Sequence, residues 1–486
     1  PFLDRLDFSG CKRLKTVTID SCDKITELNL SNLGDLHTIR ITSCPNLKSI
    51  ICTNNVNLTT FNVSNCNNVE IINVSQCTNE SLTVYIVGVP NIKELNVSST
   101  NTPNDIQVAS SLPNLRILNI SNSQVSAIQY GNAAIPTYKE NKIFDISKLN
   151  LTSLSVQNAK GVHYFKFDNN RNTPFNVGGS FFVGCSNLKR VFGHIKLNGT
   201  SIFAQCGNFY IHEPKEKVKG ITPDYMGEWF GSDTSTEEGK AAWDNNTDLG
   251  TNFTIGTTNC ASMFNATNCS IYDVYYFLYK CDNVTTLDSC FASAKNVKWD
   301  LLDSPRRNMF NHCTKVVTMN SLFWGLQTQD FKILTSTYDY GSTEHNGLFS
   351  PLVNLQAMDS IFYFGGTRYT SPAFLAKFKG NVPSKLKRLS SFSIGTIKFV
   401  DNINNCPSDS TIDEHLVSAD CGTLLANLPD LEYLNNMFNG SNINFNQLTD
   451  EDVEDGVKYC PLFYKNTKLK YIQSSFKGLV NSTGSL

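Results

Sequence analysis

The segment LKTVTIDSCDKITELNLSNLGDLHTIRITSCPNLKSII, residues 14–51, repeats itself with a period of eleven residues. Each unit follows the pattern LxxLxLxxC, and its last position keeps the eleven-residue step from Cys11 to Cys77. A single unit cannot bury its apolar face, whereas stacked units build a continuous core, so the period predicts a solenoid. The first positions of the four units in this segment are Leu14, Ile25, Leu36 and Leu47.

The alternation of apolar and polar residues in the centre of each unit predicts a strand with one buried face. Eleven residues span about 36 Å, which is too short for two walls and two reversals of the chain. We therefore expect a coil of two units, with a parallel sheet along each of two walls and adjacent coils about 4.8 Å apart. This arrangement places Cys22, Cys44 and Cys66 in one column and Cys11, Leu33, Asn55 and Cys77 in the other.

The second half of the chain carries a longer repeat. An apolar residue is followed at +3, +6, +9 and +13 by further apolar or cysteine positions, which fits either a longer coil or one face of an amphipathic helix. The recurrence of Cys and Asn at the turn position favours the coil. Clear copies are Leu278, Cys281, Val284, Leu287, Phe291; Phe310, Cys313, Val316, Met319, Phe323; and Phe349, Leu352, Leu355, Met358, Phe362, and a degraded copy is expected at Leu386 and Leu389.

Both repeat types resemble a known family. LTTFNVSNC (58–66) and LRILNISNS (115–123) resemble the strand segment of leucine-rich repeat proteins. MFNHCTKVVTMNSLF (309–323) and LPDLEYLNNMF (428–438) are similar to BspA-like leucine-rich repeats of bacterial surface proteins, although the units here are longer. The resemblance implies a β-rich leucine-rich repeat solenoid with parallel sheets along its walls and short 3₁₀ or helical segments in the second half.

These patterns predict four regions. A solenoid of eleven-residue half-repeats occupies 1–170, transition repeats occupy 171–206, a non-repeat insertion occupies 207–260, and longer irregular repeats continue the solenoid over 261–486.

Composition limits the partners. The net charge is −2 and only 17% of the 486 residues are charged, so nothing predicts binding to nucleic acid, which requires clustered Lys and Arg. No apolar run approaches the length of a membrane span, so no membrane insertion is expected within this chain. Because the chain begins with Pro1, we expect a mature protein or a fragment of a longer one.

Residues with catalytic or metal-binding chemistry form no recognisable motif. We expect Cys11, Cys22, Cys44, Cys66 and Cys77 to be buried free thiols, and we predict no metal site and no cofactor, because no Cys or His pair has zinc spacing. The seven histidines are scattered, so no catalytic residue and no enzymatic activity are predicted. The outward strand positions contain no acidic pair; they are Thr18, Asn29, Arg40, Ile51, Asn62, Asn73, Asn96 and Asn119.

The insertion is the candidate ligand-binding region. It breaks the repeat and carries Tyr225, Trp229, Phe230 and Trp243. Long insertions in solenoids project from one edge and often perform recognition, and exposed aromatic rings suit sugars or protein hot spots. These four residues are the predicted ligand-binding residues, unless they only anchor the insertion to the solenoid.

The expected function is recognition or adhesion without catalysis, through binding of surface glycans or proteins. The resemblance implies an extracellular or cell-surface protein of a gut-type bacterium. Two alternatives remain at this point. The chain could be a structural or receptor-binding component of a bacteriophage particle, within a larger assembly, or it could be a polysaccharide-active solenoid enzyme.

Overall fold

A computed structural model describes about three fifths of the chain, most completely in its first half. The described residues are 5–102, 106–108, 112–130, 143–146, 149–168, 173–207, 209, 252–269, 274, 277–295, 309–325, 349–361, 368–370, 385–390, 397–399, 419–420, 428–436, 443–444, 453–454, 457–458 and 466–475. The chain divides into two compact units. The first contains Pro1–Lys196 and Gln205–Phe253, and the second contains Leu197–Ala204 and Thr254–Leu486.

Short parallel strands follow one another through the first unit. They are β1 (Arg5–Asp7), β2 (Thr16–Asp20), β3 (Glu27–Asn29), β4 (Thr38–Thr42), β5 (Ser49–Ile51), β6 (Thr60–Ser64), β7 (Ile71–Asn73), β8 (Thr83–Val87), β9 (Glu94–Asn96), β10 (Ile106–Val108), β11 (Ile117–Asn119), β12 (Ile128–Tyr130), β13 (Ile143–Asp145), β14 (Ser153–Ser155), β15 (Tyr164–Lys166), β16 (Phe175–Gly178) and β17 (Arg190–Phe192). The unit boundaries fall within β18 (His194–Asn198) and β19 (Asn252–Ile255).

Two parallel sheets form the walls of the first unit. One has seven strands in the order β1-β3-β5-β7-β9-β11-β14, and the other has nine in the order β17-β15-β13-β12-β10-β8-β6-β4-β2. Thr16 pairs with Thr38 and Thr38 pairs with Thr60, so one coil contains twenty-two residues. The predicted coil of two units, with one parallel sheet on each wall, is therefore confirmed.

The core lies between the two walls. In the seven-stranded sheet the central residue of each strand points inward, as Leu28, Ile50 and Ile72 do with at most 1% exposure. Ile39 and Phe61 fill the same place in the nine-stranded sheet. Burying each such side chain contributes about 1.5–3 kcal/mol, and every coil needs its neighbours to bury its share.

In most half-repeats of the first unit, the next-to-last residue has a left-handed backbone conformation. It stands immediately before the last position of the pattern, where the chain leaves the strand and turns. Small side chains that tolerate positive φ, mostly Ser and Asn, occupy the position. The series includes Ser21, Asn32, Ser43, Asn54, Asn65, Gln76, Ser99 and Asn122, with φ between 54° and 60°.

A second asparagine series links successive coils. It precedes the leading apolar residue of a half-repeat, and its Nδ2 donates to a backbone carbonyl of the coil before. Such bonds satisfy turn carbonyls that would otherwise have only water as a partner. The distances are 2.6 Å for Asn46 to the Asp23 oxygen, 2.7 Å for Asn57 to Gly34, 2.7 Å for Asn68 to Pro45 and 2.9 Å for Asn91 to Asn67.

The second unit is a parallel solenoid with larger coils. Its strands are β20 (Ala357–Asp359), β21 (Arg368–Thr370), β22 (Arg388–Ser390), β23 (Ile397–Phe399), β24 (Ala419–Asp420), β25 (Tyr433–Asn435), β26 (Ile443–Asn444), β27 (Val453–Glu454), β28 (Val457–Lys458) and β29 (Tyr471–Gln473). Its main sheet has the order β20-β22-β25-β29, and parallel bridges extend the ladder back through Thr318 and Thr286 to Asn259. Helical backbone is found at residues 274 and 277–278.

The apolar repeat of the second half forms a longer coil and not one face of an amphipathic helix, which confirms the favoured interpretation. Its described positions lie inside the solenoid, and the parallel bridge between Thr318 and Ala357 joins successive units. Phe203, Phe264, Phe291 and Phe323 stack in a continuous column with centroid distances of 5.5, 5.3 and 5.8 Å. We call these four stacked rings the phenylalanine column, and they form a continuous part of the second unit's buried core.

Two parts of the second-half repeat differ from the clear copies. The degraded copy at Leu386 and Leu389 still contributes to the core and to the main sheet, because both residues are buried and β22 pairs with strands on both sides. Ile472 occupies a repeat position that is buried elsewhere, yet it is 47% exposed because β29 is the last strand of its sheet.

Candidate recognition surface

The widest regular outer surface of the first unit lies on β2, β4, β6 and β8. These strands have five residues each, and alternate residues point outward in three columns. We call this surface the hydroxyl wall. It consists of Thr16, Thr38, Thr60 and Thr83; Thr18, Arg40, Asn62 and Tyr85; and Asp20, Thr42, Ser64 and Val87.

Many polar groups of the hydroxyl wall have no partner among the residues that the structure describes. Thr42 and Ser64 share a hydrogen bond of 3.2 Å, and the Thr83 hydroxyl donates to the Thr59 carbonyl. Among the described residues, by contrast, no partner is found for the hydroxyls of the other threonines or for the side chains of Arg40 and Tyr85. The remaining threonines of the wall are Thr16, Thr18, Thr38 and Thr60. The wall therefore presents unused donors and acceptors at regular steps of about 4.8 Å.

The middle column holds the most distinctive side chains of the wall. Arg40, Asn62 and Tyr85 are consecutive in the register of β4, β6 and β8. Arg40 is exposed and Tyr85 is half-buried. The Oδ1 of Asn62 is buried and accepts no hydrogen bond. The column thus combines a permanently charged guanidinium, an amide and an aromatic ring on three neighbouring strands.

The sequence predicted only part of this surface. Thr18, Arg40 and Asn62 lie on the hydroxyl wall as expected for outward positions, whereas the first column, from Thr16 to Thr83, was missed. Its signal was available, since a threonine immediately precedes a buried strand residue in four successive coils.

The other predicted outward positions lie on the seven-stranded wall. Asn29, Asn73, Asn96 and Asn119 each accept a hydrogen bond at Oδ1 from the backbone N–H two residues later, at 3.0–3.1 Å. These asparagines hold the turn that follows each strand. Ile51 interrupts the column. On this wall, unlike on the hydroxyl wall, the outward asparagine side chains form hydrogen bonds within the turns that follow their own strands.

The nine-stranded sheet is not open along its whole length. On β13 and β15 the outward Asp145 and Lys166 form an ion pair of 3.3 Å, with side chains only 7% and 9% exposed. The next strand is also buried, and Phe192 stacks on Tyr164 at 5.8 Å. The outward face is therefore open on β2 to β8 and at Gln107 of β10, which pairs with Tyr85, and it is closed on β13, β15 and β17.

The described cysteines are free thiols, as predicted, but not all are buried. Cys44, Cys66 and Cys77 are buried, whereas Cys11 is exposed and Cys22 is half-buried, because they belong to the first coil. Burial raises the pKa of Cys44 to about 11 and that of Cys185 to about 12. A thiol with so high a pKa is a poor nucleophile at neutral pH.

Several predictions concern residues or groups for which the structure offers no geometry. The predicted ligand-binding residues Tyr225, Trp229, Phe230 and Trp243 lie outside the described residues. Within the described ranges, no three His, Cys, Asp or Glu side chains are grouped so that they could hold a metal ion. In the same part of the chain, no helix is long and apolar enough to cross a membrane.

Comparisons with known proteins give a fold likeness only. No protein-family model matches the chain, and no curated protein matches it. Among solved structures it is similar to the TLR13–ssRNA13 complex, with 12% identity, a TM-score of 0.22, and coverage of 94% of this chain and 73% of that one. It is also similar to the leucine-rich repeat ectodomain of the plant receptor kinase GASSHO1/SCHENGEN3 from Arabidopsis thaliana, with 10% identity, a TM-score of 0.22, and coverage of 90% and 54%. With TM-scores this low, the assignment of the solenoid rests on its own strand registers.

Proposed function

We propose that this chain is a non-catalytic recognition protein and that its hydroxyl wall binds neutral glycans on a surface outside the cell. The observation that carries the proposal is the set of unpartnered threonine hydroxyls, beside Arg40 and Tyr85, on one rigid sheet. Because the sheet fixes the spacing of these groups, little order has to be created on binding.

The chemistry of the wall fits a polyhydroxylated ligand. Threonine hydroxyls both donate and accept hydrogen bonds, as sugar hydroxyls do, and the Arg40 guanidinium supplies further donors. Tyr85 offers part of an aromatic ring against which the apolar face of a sugar can pack. Asp20 and Arg40 are the two charged residues of the wall, so its net charge is zero and a neutral ligand is favoured.

The size of the wall favours a glycan over a protein partner. Four strands about 4.8 Å apart and five residues long cover roughly 14 by 13 Å, or about 180 Å². A stable protein interface buries about 800 Å² on each partner. The wall alone is too small for such an interface, whereas a short oligosaccharide would cover it.

The wall also supports binding without turnover. It carries one carboxylate, Asp20, whereas glycoside hydrolysis ordinarily uses a pair of carboxyl groups on either side of the scissile bond. The aromatic residues of the insertion, Trp229 and Trp243 in particular, remain a second proposed contact for the same class of ligand.

A glycan and surface-protein array tests this proposal. The wild-type chain is expected to bind neutral glycans, and the Arg40→Ala/Tyr85→Ala variant is expected to bind them at least tenfold more weakly. Arg388→Ala/Tyr433→Ala serves as the matched control, because it removes the same residue types from an outer strand face of the second unit. Equal loss in both variants, binding to proteins alone, or no binding by the wild type would overturn the proposal.

A further inference from the structure

The most exposed large apolar side chain in the described part of the second unit belongs to a polar cluster. Tyr279 is 63% exposed, and its ring lies against the imidazole of His312 with 4.1 Å between centroids. His312 in turn places Nδ1 2.9 Å from Oδ1 of Asp282. Residues of two successive coils therefore build one small surface, which we call the Tyr279 cluster.

Hydrogen bonding decides what this cluster offers to a ligand. An ionised carboxylate only accepts, so Nδ1 of His312 donates its proton to Asp282. Among the described residues, neither His312 nor Asp282 forms another side-chain hydrogen bond. Nε2 of His312 and the second oxygen of Asp282 are thus left for a ligand beside an exposed aromatic ring.

A further hydrogen bond joins the same two coils at residues adjacent in sequence to the Tyr279 cluster. In the same two coils, Nζ of Lys315 donates to Oδ1 of Asn283 at 2.5 Å, which ties the neighbouring turn residues together across the coils. Lys315 is therefore engaged with an amide, and the carboxylate of Asp282 disfavours an anionic ligand. The complementary ligand is neutral, carries two neighbouring hydroxyl groups and has one flat apolar face.

We propose that the Tyr279 cluster is a second carbohydrate site, which binds a terminal hexopyranose. One ring hydroxyl donates to the second oxygen of Asp282, the adjacent hydroxyl forms a hydrogen bond with Nε2 of His312, and the C–H face of the sugar packs on Tyr279. The site lies in a different compact unit from the hydroxyl wall and does not depend on it. It goes beyond the proposed function because it gives the second unit a carbohydrate site of its own, made of different residues and recognising a single sugar ring.

Saturation-transfer NMR with methyl glycosides of glucose, galactose and mannose tests the site. The experiment uses the full-length Arg40→Ala/Tyr85→Ala chain, so that the hydroxyl wall cannot contribute and its own failure would not affect the result. We expect at least one glycoside to bind with a dissociation constant on the order of 1 mM, with the ring C–H protons receiving most of the saturation. Glycerol, which has hydroxyls but no flat C–H face, is expected not to bind.

Three further substitutions in that chain distinguish the site from any other. Tyr279→Ala and Asp282→Asn are expected to weaken binding at least tenfold, and because both side chains are exposed the fold should be kept. Tyr471→Ala is the matched control, since it removes another exposed tyrosine of the same unit. Binding unchanged in Tyr279→Ala, equal loss in Tyr471→Ala, or no binding by any glycoside would overturn the proposal.

Discussion

The Oδ1 of Asn55 accepts a hydrogen bond of 2.8 Å from the backbone N–H of Leu33, one coil earlier in the solenoid. Its Nδ2 donates to the carbonyls of Leu30 and Cys52 at 2.8 and 3.0 Å. One side chain therefore satisfies three buried backbone groups in two adjacent coils. The repeat can exchange Cys for Asn at this position because both side chains reach the turn backbone, as the thiol of Cys77 does at the Cys52 carbonyl.

Asn55→Ala should destabilise the first unit by about 2–4 kcal/mol, because it leaves buried backbone groups without partners. Asn55→Cys is the matched control, and it should lose less, since a thiol can still donate to one carbonyl. Denaturant unfolding followed by hydrogen exchange of residues 27–60 would measure both variants. Equal losses in the two variants would show that a thiol replaces none of these bonds, and a loss below about 1 kcal/mol in Asn55→Ala would contradict the role of the amide.

Ser289 tests the role of the left-handed turn residue. Its φ is 55°, a conformation that costs a residue with a Cβ roughly 1 kcal/mol and a β-branched residue considerably more. We expect Ser289→Gly to leave stability within about 1 kcal/mol of the wild type, and Ser289→Val to lose at least about 2 kcal/mol. Thermal unfolding of the two variants would reveal the difference, and similar melting temperatures would contradict it.

Phe291 tests the phenylalanine column. It stacks between Phe264 and Phe323, and its removal would leave a cavity in the centre of the second unit. Phe291→Ala should cost about 3–5 kcal/mol, and Phe291→Leu clearly less, because Leu refills part of the volume. Hydrogen exchange is expected to increase in the second unit while residues 27–73 keep their protection. Loss of protection in both units would show that they do not unfold separately.

Thiol reactivity should follow burial. Burial raises the pKa of Cys185 and of Cys260 to about 12, so at pH 8 only about one thiol in ten thousand is ionised. A thiol-specific reagent added to the native chain should therefore label Cys11 and Cys22 quickly and these two slowly, and unfolding should expose all of them. Peptide mapping after a short labelling pulse measures this. Rapid native labelling of Cys185 would contradict the burial.

The same shift makes stability depend on pH in a defined direction. An unfolded thiol titrates near its ordinary pKa of 9.0, whereas folded Cys185 titrates near 12. Between these values the unfolded state has lost a proton that the folded state keeps, so the contribution is complete below pH 9 and falls as pH rises. Cys185→Ala should reduce the loss of stability between pH 9 and pH 10.5 by about 2 kcal/mol. An identical pH profile in the variant would exclude this linkage.

The eleven-residue period was sufficient to predict the coil of the first unit, its two sheets and the columns of Cys22 and Asn55. These features follow from one physical requirement, which is that every coil buries the same positions. The period does not predict which outward positions are exposed to solvent. Asp145 and Lys166 occupy outward positions, yet their side chains form a buried ion pair. Burial of an outward position depends on chain segments distant in sequence, and no local pattern records them.

Features that lie between coils were harder to predict. The asparagines that precede leading apolar residues, such as Asn46 and Asn57, resemble ordinary polar turn residues until their hydrogen bonds to the previous coil are known. The Tyr279 cluster likewise combines residues of two coils whose spacing of about thirty residues is irregular. In the second unit, insertions of varying length change the coil size, so columns cannot be read by counting.

The most direct test of recognition by the hydroxyl wall compares two variants for their binding to the best neutral glycan from the array. One variant is Arg40→Ala/Tyr85→Ala on the hydroxyl wall, and the other is Trp229→Ala/Trp243→Ala in the insertion. Surface plasmon resonance with the full chain would give both dissociation constants. We expect a loss of at least tenfold for the wall variant, larger than any loss for the insertion variant. Unchanged affinity in the wall variant, together with lost binding in the insertion variant, would contradict it and place recognition on the insertion.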